Sequence, residues 1–150
     1  MKLCRFGPAG SERPGLVLAD GSIVDVSAIV PDFAIDALEP HNLDRLRRAD
    51  LGKLPRAPAG VRLGPCVGKV GKFIAIGLNY ADHAAETGAK IPGEPIVFMK
   101  ATSCIVGPND TVLKPRGSTK MDWEVELGVV IGSVARYVSE ADAPACIAGY

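Results

Sequence analysis

Residues Met121 to Gly132 read MDWEVELGVVIG, and this stretch decides how the fold is interpreted. Its alternation of apolar and charged residues predicts a β-strand, in which successive side chains point to opposite faces. Glu124 and Glu126 would then share one face, with apolar side chains on the other. Because the almost uninterrupted apolar run Leu127 to Ile131 follows, the strand is expected to continue into a core, so its charged face would line a cavity.

Two glutamates on one face of a strand repel each other unless a cation or a shared proton lies between them. A hard divalent cation is a common partner for such a pair of carboxylates. The alternative is an ordinary half-exposed edge strand with both glutamates in solvent, and the spacing alone does not separate these two interpretations. The apolar run that follows favours the metal site.

The composition is that of a folded protein without a charge bias. The chain has 150 residues, of which 17 are basic and 17 acidic, so its formal net charge is zero. This balance gives no electrostatic basis for binding nucleic acid or an anionic membrane. Apolar runs are shorter than the about 18 residues that span a bilayer. The N-terminal residues MKLCRFGPAG lack the apolar core of a signal peptide, so a cytoplasmic location is expected.

The four cysteines are too scattered for a zinc site or a disulfide framework. They form no CxxC pair, and none has a neighbouring histidine. Reduced and mostly buried thiols are therefore expected at Cys4, Cys66, Cys104 and Cys146.

The first third of the chain predicts a small β unit followed by helices. Lys2 to Phe6 is expected to form a strand, and a hairpin is expected around the tight turn Asp20-Gly21. Helical spacing follows over residues 33–38, and Asn42 is placed to cap a second short helix. Residues 52–71 carry glycine and proline at close intervals, which is typical of a linker, so a domain boundary is expected there.

Residues Lys72 to Gly77 predict a short buried strand that runs directly into a helix of about two turns. Asn79 is the expected N-cap, and Gly88 lies where such a helix would end. His83 and Glu86 are three residues apart, so Glu86 can orient the imidazole and raise its basicity. The alternative is a surface histidine paired with Glu86 for a small gain in helix stability, and spacing alone favours this alternative.

Further strands are expected at Pro95 to Lys100 and at Thr111 to Lys114, with a turn at Gly107 to Asp110 between them. Lys100 interrupts an apolar run, a position that usually indicates a solvated lysine. Ser139 is placed to begin a helix near the end of the sequence.

Four stretches together resemble the fumarylacetoacetate hydrolase family. The resemblance is closest to its bacterial sugar-acid branch of diketo-deoxy-aldonate hydrolases, whose members are often labelled ureidoglycolate lyase or hydroxyheptadienedioate isomerase. The combination of YxxHxxE with the later ExE is specific. The matching stretches are GLNYADHAAE (Gly77 to Glu86), EPIVFMK (Glu94 to Lys100), GPND (Gly107 to Asp110) and DWEVELGVVIG (Asp122 to Gly132).

This resemblance implies an α+β, mainly β fold: a mixed β-sandwich roll of the family's type, preceded by a small α/β domain. Residues 1–65 would form that N-terminal domain, and residues 66–150 would form the first part of the catalytic β-roll domain. The resemblance also implies a homodimer. The family's third metal carboxylate and a catalytic lysine would lie outside these residues, so the chain is expected to be the front part of a longer enzyme.

Roles for individual residues follow from the same resemblance, position by position. Glu124 and Glu126 would be two ligands of a divalent metal, Mg²⁺ or Mn²⁺. His83 and Glu86 match the family's water-activating pair on a lid helix.

Two further positions, Lys100 and Tyr80, match substrate-binding positions of the family. The chain departs from many relatives at Leu78, where they carry an arginine. This departure removes a potential contact to an anionic substrate.

The implied activity is metal-dependent hydrolysis of a C–C bond in a 2,4-dioxo, diketo-deoxy sugar acid, which yields a pyruvate-like 2-oxo acid and a second carboxylic acid. A small 2-oxo or 2,4-dioxo acid is the expected partner, with neither nucleic acid nor membrane. The alternatives are isomerisation, decarboxylation or ureidoglycolate cleavage by the same kind of site, and a non-catalytic β-rich interaction module.

Overall fold

The computed structural model describes the backbone of residues 1–150 and every side chain except that of Ile35. The residues group into a large unit, Met1–Lys69 with Val106–Tyr150, and a small unit, Val70–Ile105. Among the described helices, none is long and apolar enough to cross a membrane. The predicted domain boundary between residues 65 and 66 stays a prediction.

The large unit begins with a three-stranded antiparallel sheet in the order β1-β2-β3. Strand β1 spans Lys2–Phe6, β2 spans Arg13–Val17 and β3 spans Ile23–Asp25. Leu16 of β2 lies opposite Val24 of β3, and both side chains are buried. The sheet confirms the predicted first strand and hairpin, because alternation and turn residues specify such pairing locally.

A 3-10 helix, Ile35–Leu38, leads into the helix α1, Pro40–Arg47. The prediction that Asn42 caps α1 is wrong, since Glu39 is the N-cap residue and Asn42 lies inside the first turn. The proline at the first position explains the early start, because it needs no backbone partner there and its φ angle is already helical. The side-chain amide of Asn42 instead donates to the Asp36 carbonyl oxygen over 2.8 Å.

The core of the large unit joins the three-stranded sheet to α1. Leu43 and Leu46 are three residues apart on α1 and both are buried, as their helical spacing predicts. A further 3-10 helix, Leu51–Lys53, follows α1. Each fully buried aliphatic or aromatic side chain contributes about 1.5–3 kcal/mol to stability. The buried cluster consists of Leu16, Val24, Val26, Val30, Phe33, Ala37, Leu38, Leu43 and Leu46.

Cys4 lies in β1 opposite Gly15 and is only 7% exposed. Burial raises the pKa of its thiol to about 11, because the thiolate would lose its hydration. Cys66 and Cys104 are exposed, so the prediction of mostly buried thiols is wrong for these two. Both lie outside the strands, in segments that the buried cluster does not include.

Residues 55–68 run along both edges of the three-stranded sheet instead of forming the predicted linker. On the β3 edge, Ala57 donates its backbone N–H to the Ile23 carbonyl oxygen over 2.9 Å. On the β1 edge, Gly64 donates to the Arg5 carbonyl oxygen over 2.8 Å. Edge strands carry unpaired backbone groups, and this irregular segment satisfies part of them.

The last part of the large unit contains two short paired strands. Strand β6, Val130–Ile131, pairs antiparallel with β7, Ile147–Gly149. Ahead of β7 lies a 3-10 helix, Ala143–Cys146. The Ser139 hydroxyl donates to the Asp142 carboxylate over 2.6 Å just before it. The predicted helix start at Ser139 is wrong by three residues, since Asp142 is the N-cap residue of this 3-10 helix.

The predicted strands over Met121 to Gly132 and Thr111 to Lys114 are wrong, apart from β6. Residues 111–114 and 121–129 form no strand. A strand is completed by a neighbour that hydrogen-bonds to its backbone. Within the part of the chain that the structure describes, the paired strands are β1 to β7, and none of them includes residues 111–114 or 121–129.

The small unit contains an antiparallel strand pair, a short helix and a 3-10 helix. Strand β4 spans Phe73–Gly77, helix α2 spans Ala81–Glu86, β5 spans Ile96–Lys100, and the 3-10 helix is Thr102–Cys104. Both predicted strands are confirmed in position. The expected burial of β4 is wrong, since its large side chains are exposed. Two strands alone cannot cover each other's faces.

Helix α2 ends at a glycine in the left-handed conformation. Thr87 is the C-cap, and Gly88 follows with a φ of +66°. Gly88 donates its N–H to the Ala85 carbonyl oxygen over 3.2 Å, and Ala89 donates to Ala84 over 2.9 Å. These two bonds form a Schellman motif, which satisfies the free carbonyl groups at the helix end. The predicted end at Gly88 is confirmed.

Replacing Gly88 by alanine is expected to lower the opening free energy of α2 by about 1 kcal/mol, because an L side chain is strained in left-handed backbone. Crowding plays no part, since an added Cβ would meet no atom within 4 Å. Amide hydrogen exchange in α2 should become about fivefold faster. Gly93→Ala is the control, because that position has equal space and no positive φ. Equal exchange in the two variants would contradict the prediction.

Candidate functional site

Helix α2 carries His83 and Glu86, both with exposed side chains. The helix begins after Tyr80, so the prediction that Asn79 is the N-cap is wrong. The Asp82 carboxylate accepts the backbone N–H of His83 over 2.8 Å. Asp82, inside the first turn, thus satisfies one of the free N–H groups at the helix start. The helix therefore does not require an asparagine as its cap.

His83 and Glu86 share one side of α2 by their spacing, but their side chains form no ion pair among the described residues. Glu86 does not hold the imidazole in this structure. The side chain of His83 is open to solvent and to a ligand. The predicted catalytic roles of both residues stay predictions.

The junction between β4 and α2 contains a non-glycine residue in left-handed backbone. Leu78 has a φ of +48°, a conformation that costs an L-residue about 1–2 kcal/mol. The chain turns there between the end of the strand at Gly77 and the start of the helix at Ala81. Such outliers persist only where the surrounding structure holds them in place, and they are frequent at functional sites.

Lys100 and Tyr80, the two predicted substrate-binding residues, lie at different places in the small unit. Lys100 ends β5, with its ammonium nitrogen 5.3 Å from the centroid of the Phe98 ring. It pairs with Phe73, at the start of β4, whereas α2 follows Gly77 at the other end. At about 3.3 Å per residue those ends are about 13 Å apart. Tyr80 is the exposed N-cap residue of α2.

Glu124 and Glu126, the predicted metal ligands, are both exposed and belong to the large unit. The apolar residues between and beside them are exposed as well, with Trp123 at 80% and Val125 at 77%. The expectation that the charged face lines a cavity is therefore wrong for this chain. The cause is the same as for the strand: residues 121–129 lie in no strand of the structure, and all their side chains are exposed.

A divalent cation fits these two glutamates by donor type but not by donor number. Carboxylate oxygens are the ligands that Mg²⁺ and Mn²⁺ prefer, and six or more positions are filled around such ions. Among the side chains that the structure describes, no three His, Cys, Asp or Glu residues come together as a metal site. Glu124 and Glu126 can therefore supply part of a ligand set and not the whole of it.

An ion-pair network around Arg62, which the sequence analysis did not identify, holds the turn of the GPND motif in the large unit. Arg62 donates to both carboxylate oxygens of Asp110, over 2.7 Å and 2.6 Å. Its third nitrogen donates to Glu12 over 2.9 Å and to the Gly7 carbonyl oxygen over 3.0 Å. Gly107 donates its N–H to Asp110 over 2.7 Å and closes the turn.

Arg62 lowers the pKa of both acids that it contacts. Its hydrogen bond is the largest cause of the lowered pKa of Asp110, and the N–H of Gly107 adds to it. The hydrogen bond from Arg62 is also the largest cause of the lowered pKa of Glu12. The pKa of Arg62 is raised in return. The confirmed turn at Gly107 to Asp110 thus carries a structural function.

Acid is expected to weaken the large unit through this network. The carboxyl pKa values of Glu12 and Asp110 lie below their ordinary 4.5 and 3.8. The stability that depends on these charges is therefore complete above about pH 4.5 and is lost as the pH falls through the lowered values. In Arg62→Met, the urea midpoint at pH 7 should be lower by on the order of 0.5 M, with a smaller further fall towards pH 3.

Urea unfolding at several pH values between 7 and 3 measures this difference. Arg136→Met is the matched control, because Arg136 is an exposed arginine of the same unit. Its pH profile should follow that of the unaltered chain. If Arg62→Met and the unaltered chain lose stability in parallel on acidification, the network does not carry the acid sensitivity.

Comparisons with known proteins bear on the motifs directly. The family model described as "Fumarylacetoacetate (FAA) hydrolase C-terminal" matches residues 72–150, just over half of the chain. A Burkholderia ambifaria protein named "Putative hydrolase" is 58% identical over 150 residues, which are 100% of this chain and 53% of that protein. A Burkholderia multivorans protein, also named as a "Putative hydrolase", has the same identity and coverage.

Two solved structures are similar to the chain. The "Fumarylacetoacetate hydrolase (EaFAH) from psychrophilic Exiguobacterium antarcticum" matches with a TM-score of 0.77 and 30% identity, over 98% of this chain and 52% of that one. A "putative HpcE protein from Mycobacterium smegmatis" matches with a TM-score of 0.77 and 33% identity, over the same shares. The chain spans about half the length of the curated relatives and solved structures that it matches.

These matches agree with the predicted fold type, while the small N-terminal domain stays a prediction. The mixed strands and helices of the chain match the fold of the Exiguobacterium antarcticum fumarylacetoacetate hydrolase and of the Mycobacterium smegmatis protein. The family model covers the residues from β4 to the end of the sequence, which contain all the predicted site residues. The chain therefore belongs to the fumarylacetoacetate hydrolase family.

Proposed function

We propose that this chain carries part of the active site of a metal-dependent hydrolase of the sugar-acid branch. The proposed reaction cleaves a C–C bond of a 2,4-dioxo acid and yields a pyruvate-like 2-oxo acid and a second carboxylic acid. The observation that carries the proposal is the family match over residues 72–150, which includes all six candidate residues. The relatives at 58% identity, named as hydrolases, support the same reaction class.

Glu124 and Glu126 are the proposed metal ligands of this chain. Their oxygen donors suit Mg²⁺ or Mn²⁺. Because both side chains are exposed, an ion bound by them would have room for further ligands. The remaining ligands, including a third carboxylate, would come from the part of the relatives that this chain does not span. When bound, such an ion orients the 2-oxo acid and stabilises the negative charge that develops on the substrate oxygen.

His83 is the proposed general base. Its imidazole is exposed on α2 and can take a proton from a water molecule that attacks the more distant carbonyl group. Glu86 is the proposed partner that orients the imidazole, which requires a rotation of one of the two side chains, since they form no ion pair in this structure. Lys100 and Tyr80 are proposed to contact the anionic substrate through an ammonium and a phenol group.

The strained junction at Leu78 favours a functional rather than a structural role for α2. A six-residue helix with two polar side chains in solvent gains little stability of its own. Backbone strain ahead of it adds to the cost of holding it in place. A catalytic role for His83 and Glu86, which α2 places just after β4, would explain why this strained backbone is kept.

Release of 2-oxo acid from a panel of 2,4-dioxo acids tests the proposed reaction. The assay uses this chain alone and this chain joined to the residues of the Burkholderia ambifaria protein that the match does not cover. Pyruvate released with a stoichiometric second acid supports C–C hydrolysis. Loss of carbon dioxide or rearrangement without cleavage would identify a decarboxylase or isomerase instead, and release of urea and glyoxylate from ureidoglycolate would identify the lyase.

A second measurement tests the metal. The melting temperature of the joined protein should rise with added Mn²⁺, since an ion at 100 times its Kd adds about 2.7 kcal/mol to the stability of the state that binds it. Glu124→Gln and Glu126→Gln should each reduce this rise. Glu140→Gln is the matched control, because Glu140 is an exposed glutamate of the same unit. A non-catalytic interaction module would show no rise with Mn²⁺.

We also propose that the enzyme is a cytoplasmic homodimer in sugar-acid catabolism whose partner is a small 2-oxo or 2,4-dioxo acid. The balanced charge supports a small-molecule rather than a nucleic-acid partner. Sedimentation of the joined protein would measure the oligomeric state.

A further inference from the structure

The large unit contains a cleft beside α1 that includes none of the six candidate residues. We call it the α1 cleft. Its volume is about 360 Å³, within the range of about 300–1,000 Å³ that is typical of small-molecule sites. Such sites combine apolar walls with a few polar groups that orient the ligand. The apolar residues that line the α1 cleft are Ile29, Val30, Pro31, Ala34 and Ala37.

Arg45 of α1 lines the cleft, and two neutral oxygen atoms hold its guanidinium group. The group donates to the side-chain oxygen of Asn42 over 3.2 Å and to the Ile29 carbonyl oxygen over 3.3 Å. Asn42 is itself fixed, because its amide donates to the Asp36 carbonyl oxygen over 2.8 Å. Among the ion pairs of the described residues, none includes Arg45. Two of its five N–H groups are used in these bonds, and the others can bind an anion.

Lys69, the second cation of the cleft, lies on strained backbone. Its φ of +50° is in the left-handed region, which is uncommon for a residue with a side chain. Gly68 ahead of it is fixed, since its N–H donates to the Phe33 carbonyl oxygen over 2.8 Å and an added Cβ would meet an Asp32 carboxylate oxygen at 2.6 Å. Such strain persists only where the surrounding structure holds it, and it is frequent at ligand sites. Lys69 also takes part in none of the ion pairs that the described residues form.

The two aspartates of the cleft differ in how far their charges are neutralised. Arg5 donates to both carboxylate oxygens of Asp32 over 2.6 Å and 3.1 Å, and the Phe33 N–H donates to the same group over 2.8 Å. The Asp36 side chain is exposed, and it belongs to no ion pair in the described part of the chain. Two cations thus face one uncompensated carboxylate, so the cleft has an excess of positive charge.

We propose that the α1 cleft binds a small monocarboxylate with an apolar tail. The ligand's carboxylate accepts hydrogen bonds from Arg45 and Lys69, which are stronger than neutral hydrogen bonds because both partners are charged. Its tail lies against the apolar walls. The free charge of Asp36 repels a second negative charge, which disfavours dicarboxylates. This site does not depend on the proposed reaction.

Saturation-transfer NMR with hexanoate tests the site, both on the 150-residue chain and on the joined protein. The expected Kd is about 1 mM, the affinity that a ligand of so few atoms gains in an open cleft. Butyrate should bind about fourfold more weakly, because two methylene groups fewer would contact the apolar walls.

Charge-removing variants locate the bound carboxylate. Arg45→Gln should weaken hexanoate binding at least about fivefold, and Lys69→Gln about threefold, because each removes a charged donor. Both side chains are exposed, so the melting temperature should stay within about 2 °C. Arg48→Gln and Lys2→Gln are the matched controls, since Arg48 and Lys2 are exposed cations of the same unit outside the cleft.

Adipate tests the role of Asp36, because it has the same chain length as hexanoate and a second carboxylate. It should bind at least about threefold more weakly than hexanoate. Asp36→Asn should strengthen hexanoate binding about twofold and reduce the difference between the two ligands, since it removes the repelling charge.

Each of three outcomes would overturn the proposal. Equal weakening by Arg45→Gln and Arg48→Gln would mean that hexanoate binds elsewhere. Equal affinities for butyrate and hexanoate would mean that the apolar walls do not contact the ligand. Binding to the 150-residue chain that is lost in the joined protein would mean that polypeptide, and not a carboxylate, fills the cleft. No measurement involves catalysis, so failure of the proposed reaction would leave these results unchanged.

Discussion

Replacing His83 by asparagine is expected to lower the rate constant for cleavage of the 2,4-dioxo acid by about 10²- to 10⁴-fold, the range in which a general base contributes. Asparagine keeps the size and one polar atom of the imidazole but cannot accept a proton near neutral pH. The Mn²⁺-dependent rise in melting temperature should stay unchanged, because His83 is not a proposed ligand. Single-turnover kinetics of the joined protein measure the rate constant.

The control for this variant is the other histidine of the chain. His41 lies on α1, where its ring nitrogen is 3.3 Å from Glu39, and it belongs to the large unit. His41→Asn should leave the rate within about twofold, since a surface pair contributes little. Equal losses in the two variants would mean that either substitution disturbs the fold, and an unchanged rate in His83→Asn would remove the general base from the proposal.

Replacing Phe33 by alanine is expected to lower the free energy of unfolding by about 3–5 kcal/mol. Phe33 is 0% exposed and belongs to the cluster that joins the sheet to α1. Its carbonyl oxygen also accepts the backbone N–H of Gly68 over 2.8 Å, which ties residues 55–68 to the same core. The alanine variant would leave a cavity and lose the transfer free energy of the ring.

Urea unfolding followed by circular dichroism measures this loss. Tyr137→Ala is the aromatic control, because Tyr137 is 100% exposed and its removal should change stability by less than about 0.5 kcal/mol. Small domains are stable by about 5–15 kcal/mol, so the Phe33 variant should populate unfolded chain at moderate urea. A loss below about 1 kcal/mol would mean that the core closes around the missing ring.

The parts of the fold that the sequence specifies locally are those that pattern analysis predicts. Strand β1 and the hairpin follow from alternation and from the turn residues between the strands. The end of α2 follows from Gly88, whose missing Cβ permits the left-handed angle. The starts of the two helices differ by one to three residues from the predicted caps Asn42 and Asn79, because Pro40 and Asp82 satisfy the same requirements.

The segment around Glu124 could not be predicted from its own residues. Alternation states which side chains would share a face if a neighbour paired with the backbone, and it contains no information on that neighbour. Of this stretch, only Val130–Ile131 lie in a β-strand of the structure. Glu124 and Glu126 therefore stay candidate metal ligands because of their oxygen donors and the family match. The positions of their side chains depend on residues outside this stretch.

The network of Arg62 was missed for a related reason. Its partners Asp110 and Glu12 are 48 and 50 residues away in the sequence, far beyond any helical or strand period. The irregular, proline-containing stretch around Arg62 is typical of a connection. Nothing in that stretch indicates that its backbone lies along a sheet edge, or that Arg62 reaches two acids from different parts of the chain.

Because Cys4 is buried, the rate at which its thiol is alkylated reports on the opening of strand β1. With a pKa of about 11, only about one part in a thousand of the thiol is ionised near pH 8, and the sulfur is covered as well. An alkylating reagent should modify the exposed Cys66 and Cys104 quickly. It should modify Cys4 slowly, because the reagent reaches this thiol only when β1 separates from β2. Mass spectrometry of the fraction of alkylated Cys4 against time would thus measure how often the sheet opens locally at β1, without an introduced probe residue.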